Sequence, residues 1–326
     1  MVSDKDIEHA VEVLRAGGLV AFPTETVYGL GADASNAGAV GKIFAAKGRP
    51  STHPVIVHLA DAAQLAAWAG EIPEAARKLA QKFWPGPLTV ILKRARGVSD
   101  AVTGGQDTVG LRVPSHLVAR RLLAGFGGGI AAPSANRHGR VSATTAEHVR
   151  REFGDAVPCV LDGGAAEVGI ESTIVDLSGA APALLRPGWI TAGEIAAALG
   201  APLAQAGADA PRAPGTLAAH YAPRTPLTLV EDADLLIELA RTLTKQGKKV
   251  AALALSTARP VMDGVTWIAA RPEAARYAHD LYSHLRSLDE TGCDAILVER
   301  PPQTPAWAAI NDRLTRAAAG AADEAT

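Results

Sequence analysis

AFPTETVYGLGADA, residues 21–34, joins a short β-forming run (Leu19, Val20, Ala21, Phe22) to two closely spaced glycines through a row of polar side chains. Pro23 cannot donate to a strand ladder, and Gly29 and Gly31 leave the backbone open to close approach. Between them stand Thr24, Glu25, Thr26 and Tyr28, which make a polar floor rather than a core strand. In an extended chain Thr24 and Thr26 share one side, so their two hydroxyls can face one small polar ligand. The competing reading is a hydroxyl-backed turn that ends an edge strand. Upstream, Ser3 and Asp6 form a capping box for a helix with an apolar face of Ile7, Ala10, Val11 and Leu14, which Gly17 and Gly18 terminate.

Downstream the same device recurs. Residues 39–46 read as a helix carrying Val40, Ile43 and Phe44; it runs into Lys47-Gly48-Arg49-Pro50, and the apolar run Val55 to Leu59 follows. Two cations on a turn between helix and strand suit an anion, although basic residues also favour a helix C-terminus for its own sake. Pro73 opens a further helix that ends at Trp84-Pro85-Gly86-Pro87, where Trp84 reads as packing. Leu88 to Leu92 is a β-rich run, and TVGLRVP (108–114) alternates so that Thr108, Gly110 and Arg112 share one face. A guanidinium beside a hydroxyl fits a carboxylate or phosphate; an Arg can also simply cover an apolar edge. Ile130 to Asn136 is a strand that ends at Pro133, with Ser134 and Asn136 two residues apart. Ser142, Thr144 and Thr145 precede a helix over 146–153, where plain N-capping competes with ligand binding. ESTIVD (171–176) and ALLRPG (183–188) are strands carrying Ser172 and Arg186, and Thr191 with Glu194 starts the next helix.

At 326 residues the chain exceeds the usual single-domain size. Residues 200–226, rich in Ala, Pro and Gly, mark the break, yet His220-Tyr221 between prolines is unusual for an inert spacer. The expected division is a first domain over 1–200, a linker or lid over 201–226, and a smaller domain over 227–326. In the last, the strand-like runs 227–230, 250–255 and 295–298 alternate with helical patterns over 233–246, 273–288 and 306–318, which indicates a parallel α/β unit. A net charge of −2 excludes generic attraction to nucleic acid or anionic membrane, so any phosphate site is local. Two lone cysteines, a polar acidic N-terminus and the lack of a long apolar run point to the cytoplasm and away from a membrane.

The polar candidates are hydroxyls, an amide, imidazoles and cations without a nucleophile elbow or triad spacing. His53 and His58 are five apart across a presumptive strand, which gives poor support for zinc. Such a set suits chemistry by positioning and charge neutralisation, as nucleotidyl transfer from a triphosphate requires. No GxxxxGK[ST] loop is present, so a triphosphate would be held by Lys47, Arg49 and other cations together with Mg²⁺.

In order along the chain, FPTETVYGLGADA, KGRP, HPVIVH, WPGPLT, TVGLRVP, APSAN, ESTIVD, LLRPG and HYAPRTP resemble the YrdC-like family in its long two-domain branch, the L-threonylcarbamoyl-AMP synthases. The resemblance implies a twisted, mixed-sheet α/β domain with a deep basic cavity, followed by a smaller Rossmann-like parallel domain. It implies a nucleotidyltransferase that makes threonylcarbamoyl-AMP and pyrophosphate from L-threonine, bicarbonate and ATP with Mg²⁺, for N6-threonylcarbamoylation of adenosine 37 in transfer RNA. Downstream transferase proteins would receive the product, with tRNA met only indirectly or weakly. By motif, Thr26, His58, Arg112, Ser134 and Ser172 correspond to threonine contacts. Arg49, His53, Thr108, Asn136, Ser142 or Thr144, Arg186 and Tyr221 correspond to ATP contacts, with Lys47 beside the phosphates and Lys47 and Arg49 as the catalytic pair. His53 stands where the family usually has Asn. Two other readings stay open: a carbamoyl-adenylate module of the hydrogenase-maturation type, and an RNA-binding regulatory module of the same fold without adenylate formation.

Overall fold

A computed structural model describes residues 2–207, 209–255 and 262–323. The chain divides into two compact units, one of residues 1–138 and 143–216, the other of 139–142 and 217–326. The break thus falls inside the Ala/Pro/Gly-rich segment, and a four-residue loop far upstream belongs to the second unit.

In the first unit the strands are β1 (Val20–Phe22), β2 (Gly29–Asp33), β3 (Ile56–His58), β4 (Leu88–Lys93), β5 (Thr108–Arg112), β6 (Ile130–Ala131), β7 (Cys159–Val160), β8 (Thr173–Asp176), β9 (Ala183–Arg186) and β10 (Ala204–Gln205). They form one mixed sheet in the order β10-β9-β8-β4-β5-β3-β6-β2-β1-β7. The capping boxes at Ser3/Asp6 and Thr191/Glu194 are both formed, and the helices expected after residues 38, 73 and 145 run over Ala37–Lys47, Glu74–Phe83 and Ala146–Phe153.

Alternation along the strands gives the sheet two unlike faces. Val57, Leu88, Val90, Leu92, Val109, Leu111 and Val175 point into the main core with Ile43, Phe44 and Leu79 from the helices. Each such fully buried aliphatic contributes roughly 1.5–3 kcal/mol. On the opposite face the half around β1 and β6 is covered: Val20, Phe22, Ile130 and Ala132 pack against Ile7, Val11, Leu14, Leu122 and Leu123 of helices Asp4–Arg15 and Leu117–Phe126. The other half, from β3 to β9, carries only a small apolar patch of Ile56, Ile91 and Ile174, on which Ala213 rests. Leu185 of β9 packs against this patch, and Thr89, Thr108 and Arg112 are polar positions around Gly110 on the same half-face.

The second unit has an all-parallel sheet of β11 (Leu227–Val230), β12 (Val250–Ala254), β13 (Val265–Ala269) and β14 (Ala295–Glu299), in the order β11-β14-β12-β13. Strand β13 is an addition to the three runs expected from sequence. It lies at the sheet edge, and of its five residues only Val265 is buried, so its apolar signal is weak. No helix among the described residues is long and apolar enough to cross a membrane, and Cys159 and Cys293 are unpaired.

Candidate active site

The polar half-face is set by register. In β3 and β5, Ile56 pairs with Gly110 and His58 with Arg112; in β4 and β5, Ile91 pairs with Gly110 and Lys93 with Thr108. Cross-strand partners share a face, so His58, Arg112, Thr108 and Thr89 lie on one surface. Gly110 sits at its centre, where an added Cβ would lie 3.2 Å from Ile91 and 3.5 Å from Ile56. Thr108 and Arg112 are four residues apart, about 13 Å along an extended strand.

The loop after β1 meets this surface through the turn and through the ligand-like geometry at once. Thr24 Oγ1 accepts from the backbone N–H of Thr26 and Val27, both at 3.2 Å, which is the hydroxyl-backed turn. The same oxygen lies 2.8 Å from Thr26 Oγ1, so the two hydroxyls do share one side. Tyr28 is structural: its hydroxyl donates to Gly164 O at 2.7 Å and accepts from Gly163 N–H at 3.2 Å, and burial pushes its pKa up to about 12. Glu25, which sequence reading left without a role, is paired. Arg112 Nη2 donates to Glu25 Oε1 at 2.7 Å, with both side chains at or below 5 % exposure. A buried guanidinium implies such a partner, but Glu25 lies 87 residues away and no local pattern links the two.

His58 is buried between Arg112 and the edge of Phe22, whose ring centroid is 6.0 Å distant. Burial, and then the Arg112 charge, bring its pKa down to about 3, so the imidazole is neutral near pH 7. Its Nδ1 has no hydrogen-bond partner among the described residues. Ser172 Oγ lies 2.8 Å from Thr89 Oγ1, a partner that sequence reading missed. Arg186 secures the same loop, donating to Ser172 O through Nε at 3.1 Å and Nη2 at 2.9 Å, while its Nη1 reaches Pro214 O at 2.8 Å. Gly188 permits this crossing, since a Cβ there would stand 2.3 Å from Thr173 N.

A second cluster forms where helix Ala37–Lys47 ends. Lys47 Nζ, buried, donates to the carbonyls of Ser134, at 2.6 Å, and Asn136. Gly29 bridges to Ser134, and Ala135 N–H donates to Tyr28 O at 2.7 Å, so the PSAN turn is stitched to the PTET loop. Burial, followed by the neighbouring Arg49 charge, lowers the Lys47 pKa well below its ordinary value. Arg49 Nη2 donates to Pro54 O at 2.7 Å. His53 meets His138 edge-on with ring centroids 5.4 Å apart. Burial and Arg49 lower both imidazoles, His138 to about 4, with Arg212 adding to His53. His138 and Arg212 are further residues that sequence reading did not single out.

Thr108 is placed apart from these contacts, lining a groove of about 890 Å³ with Lys93, Arg94 and Ser178. Thr144 Oγ1 lies 3.3 Å from His148 Nδ1. Ser142 and Tyr221 belong to the second unit. There Arg286 Nε donates to Ser142 O at 3.3 Å. Tyr221 is buried in left-handed backbone (φ 62°), with its ring stacked on Tyr282 at 5.8 Å and under Arg313 at 5.3 Å. Trp84 Nε1 donates to Leu88 O at 2.7 Å, which fits packing.

A mixed α/β domain with this one-sided polar face, followed by a small parallel unit, defines the Sua5/YciO/YrdC class: the family model described as "Telomere recombination" matches residues 12–188. Residues 190–319 match "Threonylcarbamoyl-AMP synthase, C-terminal domain", and the chain belongs to the two-domain threonylcarbamoyl-AMP synthase family. It is 40% identical to the threonylcarbamoyl-AMP synthase of Pyrococcus abyssi, over 97% of this chain and 95% of that one. It is 41% identical to that of Bacillus subtilis, over 98% and 94%. Among solved structures, P. abyssi Sua5 complexed with L-threonine superposes with a TM-score of 0.90 at 39% identity, covering 98% of this chain and 96% of that one.

Proposed function

We infer that this protein is an L-threonylcarbamoyl-AMP synthase, a nucleotidyltransferase that joins L-threonine, bicarbonate and ATP into threonylcarbamoyl-AMP and pyrophosphate. The observation that carries this reading is Arg112: a buried guanidinium on the polar half-face, in register with neutral His58, whose Nη1 has no hydrogen-bond partner among the described residues. Such a group recognises a carboxylate. Thr26, Ser134, Ser172 and His58 would surround the amino acid, with His58 acting as a neutral hydrogen-bonding ring.

ATP would lie toward Lys47, Arg49, His53, Asn136, Thr108, Arg186 and Thr144. The spacing from Arg112 to Thr108 suits one ligand end at each. The amine condenses with bicarbonate to a carbamate and water. A carbamate oxygen then attacks the α-phosphorus, the bond to the β-phosphate breaks, and pyrophosphate leaves. Lys47 and Arg49 neutralise the charge that develops. Among the described residues no three His, Cys, Asp or Glu side chains stand together as a metal site. Mg²⁺ would be carried in on the ATP phosphates and, when bound, would supply charge neutralisation there. The product would pass, in the cytoplasm, to the proteins that transfer threonylcarbamoyl to adenosine 37 of tRNA.

The test is pyrophosphate release by purified protein with ATP and Mg²⁺, omitting L-threonine and bicarbonate in turn, with mass spectrometry of the adenylate. Release that needs both and yields threonylcarbamoyl-AMP supports the reading; stoichiometric RNA binding without turnover replaces it with a binding role. Calorimetry on Arg112→Ala then separates the ligands, because threonine binding should fall far more than ATP binding.

A further inference from the structure

The geometry points to Glu25 as the positioning residue for Arg112, holding the guanidinium so that a single open edge meets the α-carboxylate of the amino-acid substrate. This rests on the reading of Arg112 as the carboxylate contact. Of the five N–H bonds of a guanidinium, one on Nη2 goes to Glu25 Oε1 at 2.7 Å and the one on Nε goes to Gly86 O at 3.3 Å. Three remain without a partner among the described residues, two of them on Nη1. Both Glu25 oxygens are engaged within the protein, since Oε2 accepts from Ser115 N–H at 3.1 Å.

The backbone around Glu25 is pinned as well. Thr24 Oγ1 closes the turn beneath it, and Glu25 O accepts from Val168 N–H at 2.7 Å. The carboxylate is therefore presented by a pinned loop, and it holds Arg112 at Nη2 while Gly86 O holds it at Nε. Glu25 does not touch substrate; it sets the direction in which the remaining fork points. A free guanidinium on a long side chain would have to be ordered by the ligand at the ligand's cost in affinity.

Glu25→Ala leaves a buried cation without its partner and is prone to misfold, so Glu25→Gln and Glu25→Asp are the informative variants. Gln keeps the shape but offers one acceptor where two are needed; Asp keeps the charge and shortens the reach. In calorimetry on folded protein, Glu25→Gln should weaken L-threonine binding about tenfold and leave ATP binding within about twofold, an effect of one lost charge-assisted contact. Glu25→Asp should recover part of the loss. If Arg112→Ala weakens threonine selectively while Glu25→Gln does not, the positioning role is overturned. If Glu25→Gln weakens both ligands in step with a fall in Tm, the pair is only a structural ion pair, which also overturns it. If Arg112→Ala itself shows no preference for threonine, the parent reading fails and this one with it.

Discussion

His58 should make the first unit lose stability in mild acid. In the fold its pKa is brought down to about 3, while the unfolded chain restores the ordinary 6.5. Unfolding therefore takes up a proton wherever the pH lies between those values, so the contribution is complete above 6.5 and is lost as the pH falls toward 3. Integrated from about pH 7.5 to about pH 5, one such group removes about 2 kcal/mol of unfolding free energy. Urea unfolding of the protein and of His58→Gln, repeated across that range, gives the number directly. His138, His53 and His284, whose pKa values are also lowered, add losses common to both proteins, so the informative quantity is the difference between the two. That difference should shrink by about 2 kcal/mol on going to pH 5. A difference that stays flat would refute the buried neutral imidazole, and with it the idea that His58 meets a ligand uncharged.

Gly188→Ala places a methyl 2.3 Å from Thr173 N and 2.8 Å from Glu171 O, both backbone atoms; urea unfolding should show a loss of about 3 kcal/mol. Thr89→Val removes the hydroxyl 2.8 Å from Ser172 Oγ in a buried setting, and should cost about 1–2 kcal/mol in the same assay while weakening threonine in calorimetry. Lys47→Met keeps the length of the side chain but not its charge, and pyrophosphate release should fall by about 10²-fold or more. Lys47→Arg should not restore it, because the Ser134 and Asn136 carbonyls close on a compact ammonium.

What could be read from sequence was what repeats or caps locally. The alternation in TVGLR assigned Thr108, Gly110 and Arg112 to one face, and the register with β3 and β4 bears this out. Ser3/Asp6 and Thr191/Glu194 announced their helices because a capping box is complete within four residues. The missing pieces were non-local or weakly patterned. Glu25 is matched to Arg112 only by the folding of the sheet. His138 reaches Lys47 and His53 from a loop of polar residues with no period. Residues 139–142 carry no hydrophobic pattern that would assign them to the second unit rather than the first.

That four-residue excursion has a consequence for how such a chain can be shortened. A stop after Thr216 would remove Ala222, whose N–H donates to Gly139 O at 2.8 Å, and Arg286, which donates to the carbonyls of Val141 and Ser142. Three backbone acceptors in the loop just past the PSAN turn would then lose their partners. Cutting the chain there would hand those three carbonyls to water, about 75 residues upstream of the cut.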